Sequence, residues 1–223
     1  MNFIEYPDRE VMFLDLANKI AGQLRTALDT EGRASFCVPG GTTPGPVFDT
    51  LSAVSLDWER IDVLLNDERW VPESSERSNT ALLKRRLLTG KAANAHLVPL
   101  YRDVPTPEEG LAALMPAIEA TLPLNVLLLG MGTDMHTASL FPGADQLELG
   151  LSDAAPTLLA MRAPGAPEPR ITLSAKALKT AISTHILITG PEKREALERA
   201  QKLDEMQAPV SAFLSQATVH WAM

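Results

Sequence analysis

One cysteine, Cys37, stands among 223 residues, so the chain cannot form an intramolecular disulfide and suits a reducing compartment. Long apolar runs are also missing. The best, Val126–Leu129, is ended by Gly130 and Gly132, far short of a bilayer span. The opening MNFIEYPDRE carries acids early and no basic stretch ahead of an apolar one, which argues against a secretory signal. A cytoplasmic protein with no membrane partner is expected. Positive charge is in deficit, with 20 Lys and Arg against 28 Asp and Glu and a formal net charge of −8. A nucleic-acid partner is therefore not expected, because such binders carry a basic patch or stripe. Any anionic ligand must be small, held by local cations and backbone N–H groups. No Gly-Lys-Ser/Thr completes a Walker loop, no GxGxxG marks a dinucleotide site, and no GxSxG elbow surrounds Ser139. Ligating side chains do not cluster, so no catalytic metal is expected.

What is present is an ordinary globular balance of 45% hydrophobic and 22% charged residues, in a chain long enough for one sizeable core. No repeat or linker divides it, and residues 1–223 read as a single domain. A helix is expected over 8–30, where Val11, Leu14, Ala17, Ala21, Leu24 and Leu28 recur at helical steps. A strand at 33–38 leads through a glycine loop to a helix opening at Pro44. Strand Ile61–Leu65 runs into NDERW, followed by a helix from Asn79 to Leu88, a strand at His96–Leu100 and a helix across 107–121. LNVLLL at 124–129 is apolar on both faces, as a central parallel strand should be. Further strands are expected near 157–161, at Arg170–Leu173 and at Ile182–Ile188, then a helix from Pro191 and a last, edge strand at 218–222. The alternation predicts an α/β fold, a mostly parallel doubly wound sheet with helices on both faces and ligands at the strands' carboxyl ends.

Three loops at such ends carry chemistry. Gly40 and Gly41 let backbone approach a ligand, Thr42 and Thr43 add hydroxyls, and the helix at Pro44 offers its positive end. The same residues also suit a plain tight turn, with Thr43 as N-cap and Pro44 at N1. Asn66-Asp67-Glu68-Arg69-Trp70 places three charges after a buried strand, and Arg69 has a donor fork suited to phosphate or carboxylate. A solvated loop before a helix capped near Ser78 fits equally well. In Val126–Gly143, Gly130 and Gly132 allow a sharp turn, Asp134 can orient His136 or sit on a sugar hydroxyl, and Thr137-Ala138-Ser139 reads as a small-residue helix start. A histidine so placed can move protons near neutral pH. His96, His185 and His220 lack such surroundings and read as structural. Arg170 and Lys193 are further cations near strand and helix starts, and Cys37 reads as a small core hydrophobe.

The ordered segments GGTTP, DERWVP…SN, LLLGMGTDMHTASLFPG and PEPRITL resemble the 6-phosphogluconolactonases over nearly the whole chain, through Lys193 and Pro209–Ala212. That family is grouped with glucosamine-6-phosphate deaminases and isomerases. The deaminases continue from the histidine turn into Phe-Asn-Glu-Pro, whereas Ala138–Gly143 here reads ASLFPG and favours the lactonases. The resemblance implies a Rossmann-like sheet, no cofactor, and hydrolysis of 6-phosphoglucono-δ-lactone, the second step of the oxidative pentose phosphate pathway. It implies His136 as general acid/base, with Asp67 and Arg69 lining the site near it. Gly40, Gly41, Thr42 and Thr43 lie at the sugar-phosphate end, with Arg170 and Lys193 as anion contacts.

Departures are Met135, where the family usually has glycine, and, more mildly, Pro39 and Asn125. A positive φ at Met135 would strain the backbone by roughly 1–3 kcal/mol; an ordinary conformation would let its side chain narrow the pocket. Two other readings stay open: a deaminase or isomerase on the same scaffold, and a non-catalytic sugar-phosphate sensor.

Overall fold

A computed structural model describes Met1–Met223 in full. Strand β1 (Asn2–Glu5) precedes helix α1 (Arg9–Glu31), whose first turn is capped by Asp8 accepting from the Val11 N–H. Gly32, at φ +78°, ends α1 by returning its N–H to Leu28. The buried stripe runs through Met12, Leu16, Ile20, Leu24 and Leu28. Ala17, Ala21, Leu24 and Leu28 are buried as expected, whereas Val11 and Leu14 are 46% and 55% exposed and Met12 and Leu16 cover the core at that end.

Next come β2 (Ala34–Val38), α2 (Gly45–Ser52), β3 (Ile61–Leu65), β4 (Asp67–Arg69), α3 (Asn79–Arg86) and β5 (His96–Val98). They are followed by α4 (Pro107–Glu119), β6 (Val126–Gly130), α5 (Leu147–Leu151), β7 (Leu158–Met161) and β8 (Arg170–Leu173). The chain ends with α6 (Ala175–Leu178), β9 (Ser183–Thr189), α7 (Pro191–Ala200), α8 (Ser211–Leu214) and β10 (Ala217–Ala222). Seven strands form one sheet in the order β1-β10-β9-β6-β2-β3-β5, every pairing parallel, with helices on both faces. β2 is buried at every position, as a strand covered on both faces must be. From β2 the chain builds outward through β3 and β5, then returns to the other side of β2 for β6, β9 and β10. The order therefore reverses between β2 and β6, and a crevice opens at their carboxyl ends.

Three expectations are corrected. The 218–222 strand is internal, because the short β1 pairs with β10 and takes the edge. The strands near 157–161 and 170–173 do not extend the large sheet; β7 and β8 form a separate antiparallel sheet in the order β4-β8-β7. Its third strand, β4, forms where three consecutive charges, Asp67, Glu68 and Arg69, predict a loop. Asn66 joins the two sheets: its N–H donates to Val38, its carbonyl accepts from Leu173, and its Nδ2 donates to Leu128. Buried apolar side chains of both sheets form one continuous cluster.

Inside that cluster, His185 and His220 bond ring to ring at 3.0 Å. His185 reaches Gln23 at 2.9 Å and His220 reaches the Tyr6 hydroxyl at 2.8 Å. A neutral imidazole donates at one nitrogen and accepts at the other, and the Tyr6 hydroxyl, which donates to Asp15 at 2.5 Å, is left to accept from His220. Burial, with the Lys19 charge nearby, pushes His185 down to about 4. Burial, the neighbouring His185 and Lys19 push His220 down to about 3, against an opposing pull from Asp15. Both folded values lie below the unfolded value of about 6.5. The stabilisation is therefore complete above that value and lost as pH falls towards 4. Urea-unfolding midpoints should hold between pH 8 and 7 and decline from pH 6.5 to 5. The slope should approach roughly 1.4 kcal/mol per pH unit for each histidine; a flat profile over that window would contradict neutral burial.

Candidate active site

The crevice holds a cavity of about 230 Å³ walled by loops from four neighbouring strands of the large sheet. β2 supplies Gly40, Gly41 and Thr43; β3 leads to Asn66, Asp67 and Arg69; β6 leads to Gly130, Gly132 and His136; β9 leads to Thr189 and Lys193. Arg170 enters from the small sheet. Asp134 stands behind His136 rather than on the wall, and Thr42 is exposed and turned away from the cavity.

His136 is fixed from several sides. The Asp134 carboxylate accepts the His136 backbone N–H at 3.2 Å and meets ring Nδ1 at 2.5 Å. Burial pushes the Asp134 carboxyl up, but its hydrogen bond to His136 and the attraction of that ring outweigh burial and hold it below its usual range. An ionised carboxylate only accepts, so Nδ1 carries the proton and Nε2 is the ring atom left to act on a ligand. Gly132 makes room: a β-carbon there would overlap both the imidazole and the Asp134 carboxylate. The Gly132 N–H also donates to the His136 carbonyl. The expected helix after His136 does not form. Thr137 and Leu140 close a tight turn, Ala138 sits at φ +49°, and the next helix is α5. The turn is pinned by Thr137 Oγ1 donating to Gly130, and by Ser139 donating its N–H to Thr172 and its hydroxyl to Asp67 at 2.6 Å.

The charges of β4 divide three ways. Glu68 faces neither solvent nor cavity. It is fully buried and accepts from the N–H groups of Arg69, Asn79 and Thr80 and the hydroxyls of Ser78 and Thr80. It thereby caps α3 together with Ser78, which accepts from Ala81 as the sequence suggests. Asp67 lines the cavity, with Oδ2 3.6 Å from Arg170 Nη1. Arg69 lies directly opposite Arg170 in the antiparallel register. Like charges in that position repel by about 0.2–1 kcal/mol, and the buried Nε atoms of both lack any partner. Burial lowers the Arg170 guanidinium, opposed by Asp67 and reinforced by Arg69. Two facing arginines with idle donors suit an anion between them.

The paired glycines are needed for different reasons. Gly41 has φ +82°, whereas a β-carbon on Gly40 would overlap the Asn79 side chain. Asn79, a wall residue missed in the sequence, is held there by donating to the Asp67 carbonyl. A tight turn does form here, with the Gly45 N–H donating to Thr42, but its expected cap does not, since Pro44 rather than Thr43 is the N-cap residue of α2 and no side chain caps it. Lys193 reaches across from α7 to the Met131 carbonyl at 2.6 Å, and burial lowers its ammonium. Phe141, also missed, stacks on the His136 ring.

The family model described as glucosamine-6-phosphate isomerases/6-phosphogluconolactonase matches residues 7–221. The chain belongs to that family. It is 42% identical over 210 residues to a 6-phosphogluconolactonase of Pseudomonas aeruginosa, spanning 92% of this chain and 88% of the relative. A second, from Rhizobium meliloti, is 41% identical over 215 residues, covering 93% and 92%. The crystal structure of a 6-phosphogluconolactonase from Shewanella baltica superposes with a TM-score of 0.94 at 34% identity, covering 100% and 98%.

Met135, where the resemblance leads one to expect glycine, sits at φ +67°. The strained alternative is the one realised. Its side chain packs against the core instead of narrowing the cavity, and its carbonyl accepts from Val210. Met135→Gly should relieve that strain and stabilise the fold by about 1 kcal/mol, net of the added unfolded-state entropy. Denaturant midpoints at unchanged slope measure it; a destabilised variant would show that Met135 packing outweighs the backbone.

Proposed function

We propose that this chain, acting as a single cytoplasmic domain without nucleic-acid or membrane partners, hydrolyses 6-phosphoglucono-δ-lactone to 6-phosphogluconate in the oxidative pentose phosphate pathway. The observation that carries the reading is the His136–Asp134 pair opening on the same cavity as Arg69, Arg170 and Lys193. No hydroxyl or thiol bonds to His136, and Ser139 is committed to Asp67. An activated ester needs no covalent nucleophile, so a histidine base acting on water is sufficient chemistry.

In this mechanism His136 Nε2 takes a proton from water as the water oxygen bonds to the lactone carbonyl carbon. The electron pair moves onto the carbonyl oxygen, where the cavity's cations offset its charge. Collapse breaks the bond to the ring oxygen, which receives the proton back from Nε2. Asp134, held ionised, stabilises the transient imidazolium. Gly40, Gly41 and Thr43 offer donors to the phosphate, with Arg170 and Lys193 as its cations. Asp67 and Arg69 line the same cavity as His136, with Arg69 facing Arg170 across the β4–β8 pairing. Remote phosphate binding then fixes the carbonyl for attack.

Lactone disappearance above its spontaneous rate tests the activity. His136→Ala should lower kcat by about 10²–10⁴-fold with folding intact. Gly132→Ala should do nearly as much damage by displacing the His136–Asp134 pair, although it removes no functional group. Arg170→Met should raise KM about tenfold or more. Full activity in His136→Ala would defeat the mechanism. Ammonia release from glucosamine 6-phosphate without lactone turnover would favour the deaminase reading, and tight 6-phosphogluconate binding without turnover the sensor.

A further inference from the structure

His136 and Phe141 flank the tight turn closed between Thr137 and Leu140, with the Leu140 N–H donating to Thr137 at 3.0 Å. The turn folds the chain back so that the two rings stack, centroids 4.2 Å apart at an interplanar angle of 29°. The same phenyl ring lies under the Arg170 guanidinium, whose carbon is 5.5 Å from its centroid. Arg170 is otherwise weakly anchored. Its nearest carboxylate oxygen, on Asp67, is 3.6 Å away and already accepts from Ser139, and its Nε has no partner. His136 likewise has only Asp134 as a side-chain hydrogen-bond partner, which leaves the ring's tilt to be set by what it packs on.

We propose that Phe141 is a positioning residue: its single ring holds the imidazole of His136 and the guanidinium of Arg170 in a fixed relation to one another. An aromatic face attracts cations, so it matches both a permanent guanidinium and an imidazole that becomes positive when it takes a proton. Phe141 touches neither water nor lactone in this scheme and acts only through the two groups it carries. The tight turn makes this possible. A helix after His136 would have separated positions 136 and 141 by more than one turn and carried the phenyl ring away from the imidazole.

This inference rests on the lactonase reading for its kinetic arm and is independent of it for its spectroscopic arm. Phe141→Leu removes the aromatic face, Phe141→Met removes it while retaining more of the side chain's length, and Phe141→Tyr keeps it. In the full-length protein, Leu and Met should each lower kcat about tenfold and raise KM several-fold, while Tyr stays within about twofold of the parent. In carbon–proton NMR spectra of the imidazoles, the His136 resonance, assigned by its loss in His136→Ala, should move downfield in Leu and Met as the ring current is removed. It should stay in place in Tyr, and the other histidines should not move in any variant. The proposal is overturned if Met keeps the parent kcat, or if kcat falls without movement of the His136 resonance. Widespread spectral change in both Leu and Met would equally overturn it, because Phe141 would then be a folding residue. If the parent protein does not turn over lactone, the activity reading fails, and the His136 resonance still decides whether Phe141 sets the imidazole.

Discussion

The chain leaves the large sheet at Asn66 with its backbone N–H still bonded to β2 and its carbonyl already bonded to the start of the small sheet. The side-chain amide, donating to Leu128 in β6, ties the same residue to the far side of the crevice. Asn66 is fully buried, and although its Oδ1 has no partner, its backbone N–H, backbone carbonyl and Nδ2 are each committed, which leaves little freedom in where β4 can go. β4 therefore turns to pair with β8, and that pairing sets Arg69 opposite Arg170 above the β2–β6 crevice. Without the junction, the cations would belong to a solvated loop and the cavity would lose one wall. Glu68, between Asp67 and Arg69, locks the arrangement from behind by binding the start of α3. Alternating side-chain direction along a strand then explains the division: Asp67 and Arg69 reach the cavity, and Glu68 points away from it.

That strand was illegible in the sequence for a physical reason. Three charges in a row carry no apolar alternation, and the desolvation that makes them improbable in a strand is cancelled by partners distant in sequence: Asn79, Thr80, Ser139 and Arg170. The long helices and the central strands were readable because local pattern and burial agree there. α1 has its cap, its periodic stripe and its terminal glycine, and β6 is an unbroken apolar run. β1 fails the same test, since four residues of NFIE have neither length nor alternation and gain strand character only from β10.

The site was legible as a set of loops and not as a geometry. Motif order brought out His136, Asp134, Asp67, Arg69, Arg170, Lys193 and the glycine pair, and the fold gathers all of these except Asp134 onto one cavity wall, with Asp134 behind His136. Thr42 drops out because it is exposed, and Thr43 is the threonine of that loop on the cavity wall. Asn79 and Phe141 were missed because their importance lies in a contact. One fills the space left by Gly40, and the other lies against His136 across a turn whose existence depends on Ala138 adopting a left-handed conformation.

The two non-glycine residues at positive φ, Met135 and Ala138, flank His136 closely. At roughly 1–3 kcal/mol each they would unravel an isolated loop. Hydrogen bonds within and around the loop oppose that cost, among them Gly132 to His136, Met135 to Gly132, Leu140 to Thr137, Thr137 to Gly130, the two from Ser139, and Val210 to Met135. Relaxing either residue towards a helical φ would swing the imidazole off Asp134 and away from Phe141. The strain thus has a direct structural correlate: it is the backbone conformation that lets one side chain meet a carboxylate at Nδ1, an aromatic face on its plane and the cavity at Nε2.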